Sequence, residues 1–102
     1  MDLHLTGKRA IVSGGGHGIG LAVARALTAE GVDVAISGRS VGITEVAAQL
    51  AAESGRTVIG IRADTGDDTS VQAMVAEAVR QLGGVDILVN TAAKAWTADM
   101  NK

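Results

Sequence analysis

Apolar runs and helical periodicity take turns along this chain. "RAIVSG", residues 9–14, is a short β-branched run closed by glycine, and from Gly18 the residues Ile19, Val23, Ala26 and Leu27 recur at helical spacing until Gly31 supplies a stop. The pattern predicts strand, turn, helix. "VDVAIS", residues 32–37, repeats the strand signal; a second helix is predicted over 43–54, with Val46, Ala47 and Leu50 on one face and Gly55 as its end. "TVIGIR", residues 57–62, is a third strand. Asp67 and Asp68 then offer a helix cap and negative charge at the positive end of the helix dipole. Val71, Met74, Val75, Ala78, Val79 and Leu82 follow as one apolar stripe before Gly83 and Gly84, and "VDILVN", residues 85–90, is the fourth strand. Strands alternating with helices predict right-handed crossovers and a parallel sheet, an α/β fold. The chain carries no linker, low-complexity tract, tandem repeat or proline.

Composition narrows this picture. A chain of 102 residues with 47% hydrophobic residues suits one domain spanning 1–102, burying roughly 60 to 65% of its unfolded surface. Net charge is -2 and no basic run exceeds Lys8-Arg9, which argues against a nucleic-acid partner. With no cysteine there is no disulfide framework or thiolate metal site, and His4 and His17 are too few for an ordinary zinc site, so no metal is expected. No stretch reads as a signal peptide or membrane span, and a soluble cytoplasmic protein is the expectation. Phe and Tyr are absent and Trp96 is the one aromatic residue, leaving Val, Ile, Leu, Ala and Met to build the core.

The candidate chemistry lies in "SGGGHGIG", Ser13 to Gly20, where the first strand hands over to the first helix. Glycines there let a pyrophosphate approach main-chain N–H groups, while the first helical turn presents unpaired donors and a positive dipole end. A glycine-rich match alone is equally a tight turn. Here it follows a strand, opens a helix and begins a βαβ unit of roughly thirty residues, which is the arrangement of a dinucleotide site. The candidate binding residues are Gly14, Gly16, His17, Gly18, Ile19 and Gly20.

The spacing of Gly14, Gly18 and Gly20 resembles the TGxxxGIG motif of the short-chain dehydrogenase/reductase family, with Ser13 in place of its threonine. "LTGKRAIVSGGGHGIG", "RADTGD" and "VDILVN" resemble that family's opening, its segment after the third strand and its fourth strand, so the resemblance runs from about Leu3 to Ala93. It implies a Rossmann-type doubly wound parallel sheet, of which this chain supplies strands in the order 3-2-1-4 with three helices. The cofactor crevice between strands 1 and 4 is then retained, while the far edge of strand 4 and part of one sheet face are left without cover. Marginal stability and self-association of the isolated chain are expected.

The choice of dinucleotide is argued from charge. NAD-binding sheets of this kind place an acid at the end of the second strand, and NADP-binding ones an arginine nearby. "ISGRS", residues 36–40, holds no acid: Asp33 begins the strand and Glu45 lies in the next helix. Arg39 offers a fork of donors for a 2′-phosphate, with Ser37 or Ser40 as supplementary contacts, and NADP is expected over NAD. The family resemblance adds His17, placed where NADP-preferring members carry a basic residue. It further implies that Asp64 accepts from the adenine amino group with the main chain of Thr65 assisting, although an Asx turn or cap is the plainer role for Asp64. Asn90 and Ala92 match the family's Asn-Asn-Ala-Gly after strand 4, whereas Thr91 and Ala93 depart from it.

By the same resemblance, catalysis would need a tyrosine and a lysine four residues later, with a serine. The chain has no tyrosine, so no catalytic residue is assigned and Lys94 and Lys102 read as solvated lysines. The leading expectation is the NADP(H)-binding part of an oxidoreductase that moves hydride between nicotinamide and a carbonyl or secondary alcohol, inactive by itself. The alternatives are a naturally short, non-catalytic dinucleotide-binding module and a truncated relic or interaction piece that binds no nucleotide. A small carbonyl or alcohol substrate belongs to a longer form only, and a homo-oligomer is implied by the resemblance.

Overall fold

The computed structural model describes residues 5–14, 16, 18–64 and 66–91. His17, Thr65, Ala92, Ala93, Lys94, Trp96 and Lys102 lie outside the described residues. Strands and helices alternate as β1 (Arg9–Ser13), α1 (Gly18–Ala29), β2 (Asp33–Gly38), α2 (Ile43–Ser54), β3 (Val58–Arg62), α3 (Asp68–Leu82) and β4 (Ile87–Asn90). The four strands pair in parallel in the order β3-β2-β1-β4, the Rossmann-type arrangement expected from the sequence.

Both faces of the sheet are apolar because parallel strands are covered on both sides. Ala10, Val12, Val34, Ile36 and Val58 pack against Ala24 of α1 and Ile43, Ala47 and Leu50 of α2. On the opposite face Ile11, Ala35 and Ala63 meet Met74 and Ala78 of α3. Two helices therefore cover one face and one helix the other. Gly60 in β3 allows α2 a close approach, since a Cβ there would lie 2.6 Å from the carbonyl oxygen of Ile43.

The helix ends follow the sequence signals. Asp67 caps α3, its side chain accepting from Thr69 N–H at 2.9 Å, and Gly55 and Gly83 close α2 and α3 in the left-handed conformation. The stripe on α1 differs from expectation. Gly20, Ala24 and Thr28 are its buried residues, Leu21, Val23 and Leu27 flank them, and Ile19 is 75% exposed. Small side chains four apart let this helix lie close to the sheet. Thr28 tolerates burial because its hydroxyl donates to the Arg25 carbonyl at 2.9 Å.

β4 is shorter than the apolar run suggests, beginning at Ile87; just before it, the Asp86 N–H donates to the Arg9 carbonyl at 2.8 Å. The Asp86 carboxylate accepts from the Arg9 N–H at 2.9 Å and from Arg9 Nε at 3.3 Å, which ties the starts of β1 and β4 together. These bonds, the main-chain one foremost, hold the Asp86 carboxyl below the usual carboxylate range. Among the described residues no helix is long and apolar enough to cross a membrane.

Candidate functional site

The carboxyl ends of β1 and β4 adjoin at the point where the strand order reverses, the place where open α/β sheets form a ligand crevice. Ser13 and Asn90 are register partners there, and the Ser13 hydroxyl donates to Asn90 Oδ1 at 2.9 Å. One residue on, Thr91 N–H donates to the Ser13 carbonyl at 3.2 Å, and the Thr91 hydroxyl donates to the same oxygen. The departure at Thr91 is thus a structural contact that pins β4 to β1.

The glycine turn is built on this junction. Gly14 has φ +74°, and its N–H donates to the Ser37 carbonyl at 2.8 Å, which fastens the turn to β2 as well. A Cβ on Gly14 would stand 2.5 Å from Thr91 Oγ1, and one on Gly20 would overlap the Gly14 carbonyl oxygen. Gly14 therefore answers to a left-handed backbone and Gly20 to a close approach between turn and helix. Gly16 backs onto Ile43, while Gly18 opens α1 with open space around the position of a Cβ. Gly18 and Ile19 are exposed, so the first turn of the helix faces outward with its unpaired donors and positive dipole end. An anion suits such a site.

A second locus lies at the ends of β2 and β3. Arg39, Arg62, Ala63, Asp64 and Ser70 line an open cavity of about 360 Å³. Register pairs Gly38 with Arg62, and Arg62 Nε donates to the Arg39 carbonyl at 3.0 Å. Asp64 forms its Asx turn, Oδ1 accepting from Gly66 N–H at 2.9 Å, while its own N–H donates to Ser70 Oγ. The plainer role expected for Asp64 is therefore filled, and the residue also lines the cavity. Ser37 is fully buried with no partner for its hydroxyl among the described residues, so it does not supplement Arg39. The Ser40 hydroxyl oxygen accepts from Gly42 N–H. Asp33 is turned to other work at the far end of β2, where it pairs with Arg56 at 3.1 Å and accepts from Thr57 N–H.

The family model of the short chain dehydrogenases matches residues 8–102. The chain belongs to the short chain dehydrogenase family. Among similar proteins, an uncharacterized oxidoreductase from Thermotoga maritima is 39% identical over 89 residues, covering 87% of this chain and 35% of its own. The L-sorbose reductase of Gluconobacter frateurii, solved with NADPH and L-sorbose, shares 35% identity at a TM-score of 0.86, covering 90% of this chain and 35% of its own. A blue fluorescent protein from a metagenomic library, solved with NADPH, shares 42% identity at a TM-score of 0.74, covering 82% of this chain and 35% of its own. The chain thus spans about 35% of the length of these relatives.

Sequence reasoning missed Arg62 and Ser70. A basic residue two places before Asp64 was visible, but only strand register sets it against the turn carrying Arg39.

Proposed function

We propose that these residues form one dinucleotide-binding domain of an NADP(H)-dependent oxidoreductase that moves hydride between nicotinamide and a carbonyl or secondary alcohol. The observation that carries this reading is the glycine turn at the strand-order reversal, with Gly20 pressed against the Gly14 carbonyl and the first turn of α1 facing outward. In this reading the turn of Gly14, Gly16, His17, Gly18, Ile19 and Gly20 holds the pyrophosphate. Arg39 takes the 2′-phosphate, and Asp64 with Thr65 holds the adenine amino group. Asn90, at the end of β4, and Ala92 after it are assigned to cofactor binding by their match to the family motif. The nicotinamide supplies the hydride chemistry when bound; this chain's own residues bind and orient it.

NADP is favoured over NAD because no carboxylate stands between Ile36 and Gly42, and Asp33 is spent on Arg56. The NADPH held by two relatives supports the same choice. With no tyrosine present, the 102 residues bind without turnover. A cytoplasmic, oligomeric protein completes the reading, with its substrate met only in a longer form.

Titration of the purified protein with NADPH and NADH, followed by calorimetry, tests it. NADPH should bind roughly tenfold or more tighter, the worth of a charge-assisted contact. Equal affinities would move the preference away from NADP, and no binding of either would leave a relic of the fold.

A further inference from the structure

The arginines of this chain divide into two groups. Arg9 pairs with Asp86, Arg25 with Glu53, Arg56 with Asp33 and Arg80 with Glu77. Among the described residues, only Arg39 and Arg62 have no carboxylate partner, and these two line the same cavity. Asp64 shares that cavity without pairing with either, its Oδ1 being taken by the Gly66 N–H. Two unpaired guanidinium groups on one open concavity leave an excess of positive charge directed at whatever enters it.

Arg62 is also held in a particular way. It ends β3 opposite Gly38, and its Nε donates to the Arg39 carbonyl at 3.0 Å. The donor spent on the protein is Nε, which leaves the two terminal nitrogens of the fork for a ligand. The same bond fixes the main chain of the turn from which Arg39 projects.

Resting on the NADP(H) reading above, we infer that Arg62 is a second specificity residue for the 2′-phosphate, acting through its own terminal nitrogens and by holding the Arg39 carbonyl. The site is a two-arginine cradle, of which the end of β2 supplies one member and the end of β3 the other. An adenosine without the 2′-phosphate gains little from it.

The test compares adenosine 2′,5′-bisphosphate with adenosine 5′-monophosphate by calorimetry, on the purified protein and on Arg62→Ala, Arg62→Gln, Arg62→Lys and Arg39→Ala. Gln replaces the neutral donor function without the charge, and Lys keeps the charge without the fork. Arg62 is exposed, so these variants are expected to fold, which circular dichroism checks. Arg62→Ala and Arg62→Gln should weaken the bisphosphate about tenfold to a hundredfold, the usual worth of a charged hydrogen bond, and leave the monophosphate within about twofold. Arg62→Lys should fall between them and the unaltered protein.

If Arg62→Ala leaves the bisphosphate unchanged while Arg39→Ala weakens it, Arg62 is only a strut and the inference fails while the NADP(H) reading stands. Equal loss of both nucleotides in Arg62→Ala would also overturn it, since the residue would then serve the shared adenosine. If the unaltered protein does not prefer the bisphosphate, the NADP(H) reading itself fails and the cradle with it.

Discussion

At the scale of single residues, Gly20 and Ser37 make opposite predictions. Gly20→Ala would place a methyl group on the Gly14 carbonyl, a backbone atom that retreats only by moving the whole turn. We expect it to cost about 1 to 3 kcal/mol of stability and to weaken nucleotide binding about tenfold or more through the displaced turn; denaturant melts and a dinucleotide titration read the two effects. Ser37 is 0% exposed, and its hydroxyl has no partner among the described residues. Ser37→Ala should leave stability unchanged or raise it by up to about 2 kcal/mol, because an unsatisfied buried hydroxyl is removed. A fall in the denaturant midpoint would show that the hydroxyl has a partner after all. Both residues stood in the sequence as members of suggestive stretches. What each one touches did not.

At the scale of elements, caps were legible and faces less so. Asp67 was readable as the α3 cap because an Asp before an apolar stripe has a local role that needs no tertiary partner. Asp67→Ala should cost about 1 kcal/mol, measured as a shift in the thermal midpoint. The α1 face was legible in part: Val23 and Leu27 pack against the core as apolar periodicity suggests, whereas Ile19 and Ala26 are exposed and the sheet accepts the small residues Gly20, Ala24 and Thr28. Distance of approach decided it, and hydropathy does not encode distance. The β1–β4 junction also carries a pH dependence. Asp86 has its pKa lowered by the Arg9 N–H and guanidinium, so its stabilising contribution is present above the ordinary carboxylate pKa and is lost as pH falls through the lowered value. Asp86→Asn should flatten that part of the acid limb in a stability-versus-pH profile. An unchanged limb would assign acid sensitivity to other carboxylates, such as Glu77, whose pKa is lowered by Arg80 and Gln81.

At the scale of the whole molecule, β4 is one of the two edge strands of the described sheet, paired there with β1 alone, and Leu88 on it is 62% exposed. Strand backbone and an apolar side chain on an open edge favour association. The 102-residue chain should therefore sediment as a concentration-dependent mixture, and Leu88→Lys should shift it toward monomer. A sharp, monomeric two-state unfolding transition of the unaltered chain would contradict this expectation.

The order of strands and helices, the caps and the place of the glycine turn were determined by the sequence, because periodicity, turn chemistry and helix signals act over a few neighbouring residues. The family resemblance extended that reading to the strand order. Only the tertiary structure decided which α1 residues face the sheet, that Thr91 pins β4 to β1, and that Arg62 stands beside Arg39. Arg39 and Arg62 are separated along the chain by a whole helix and a strand, and parallel register alone brings them to one cavity. Contacts of that kind depend on pairing across the sheet, which no local pattern of side chains specifies.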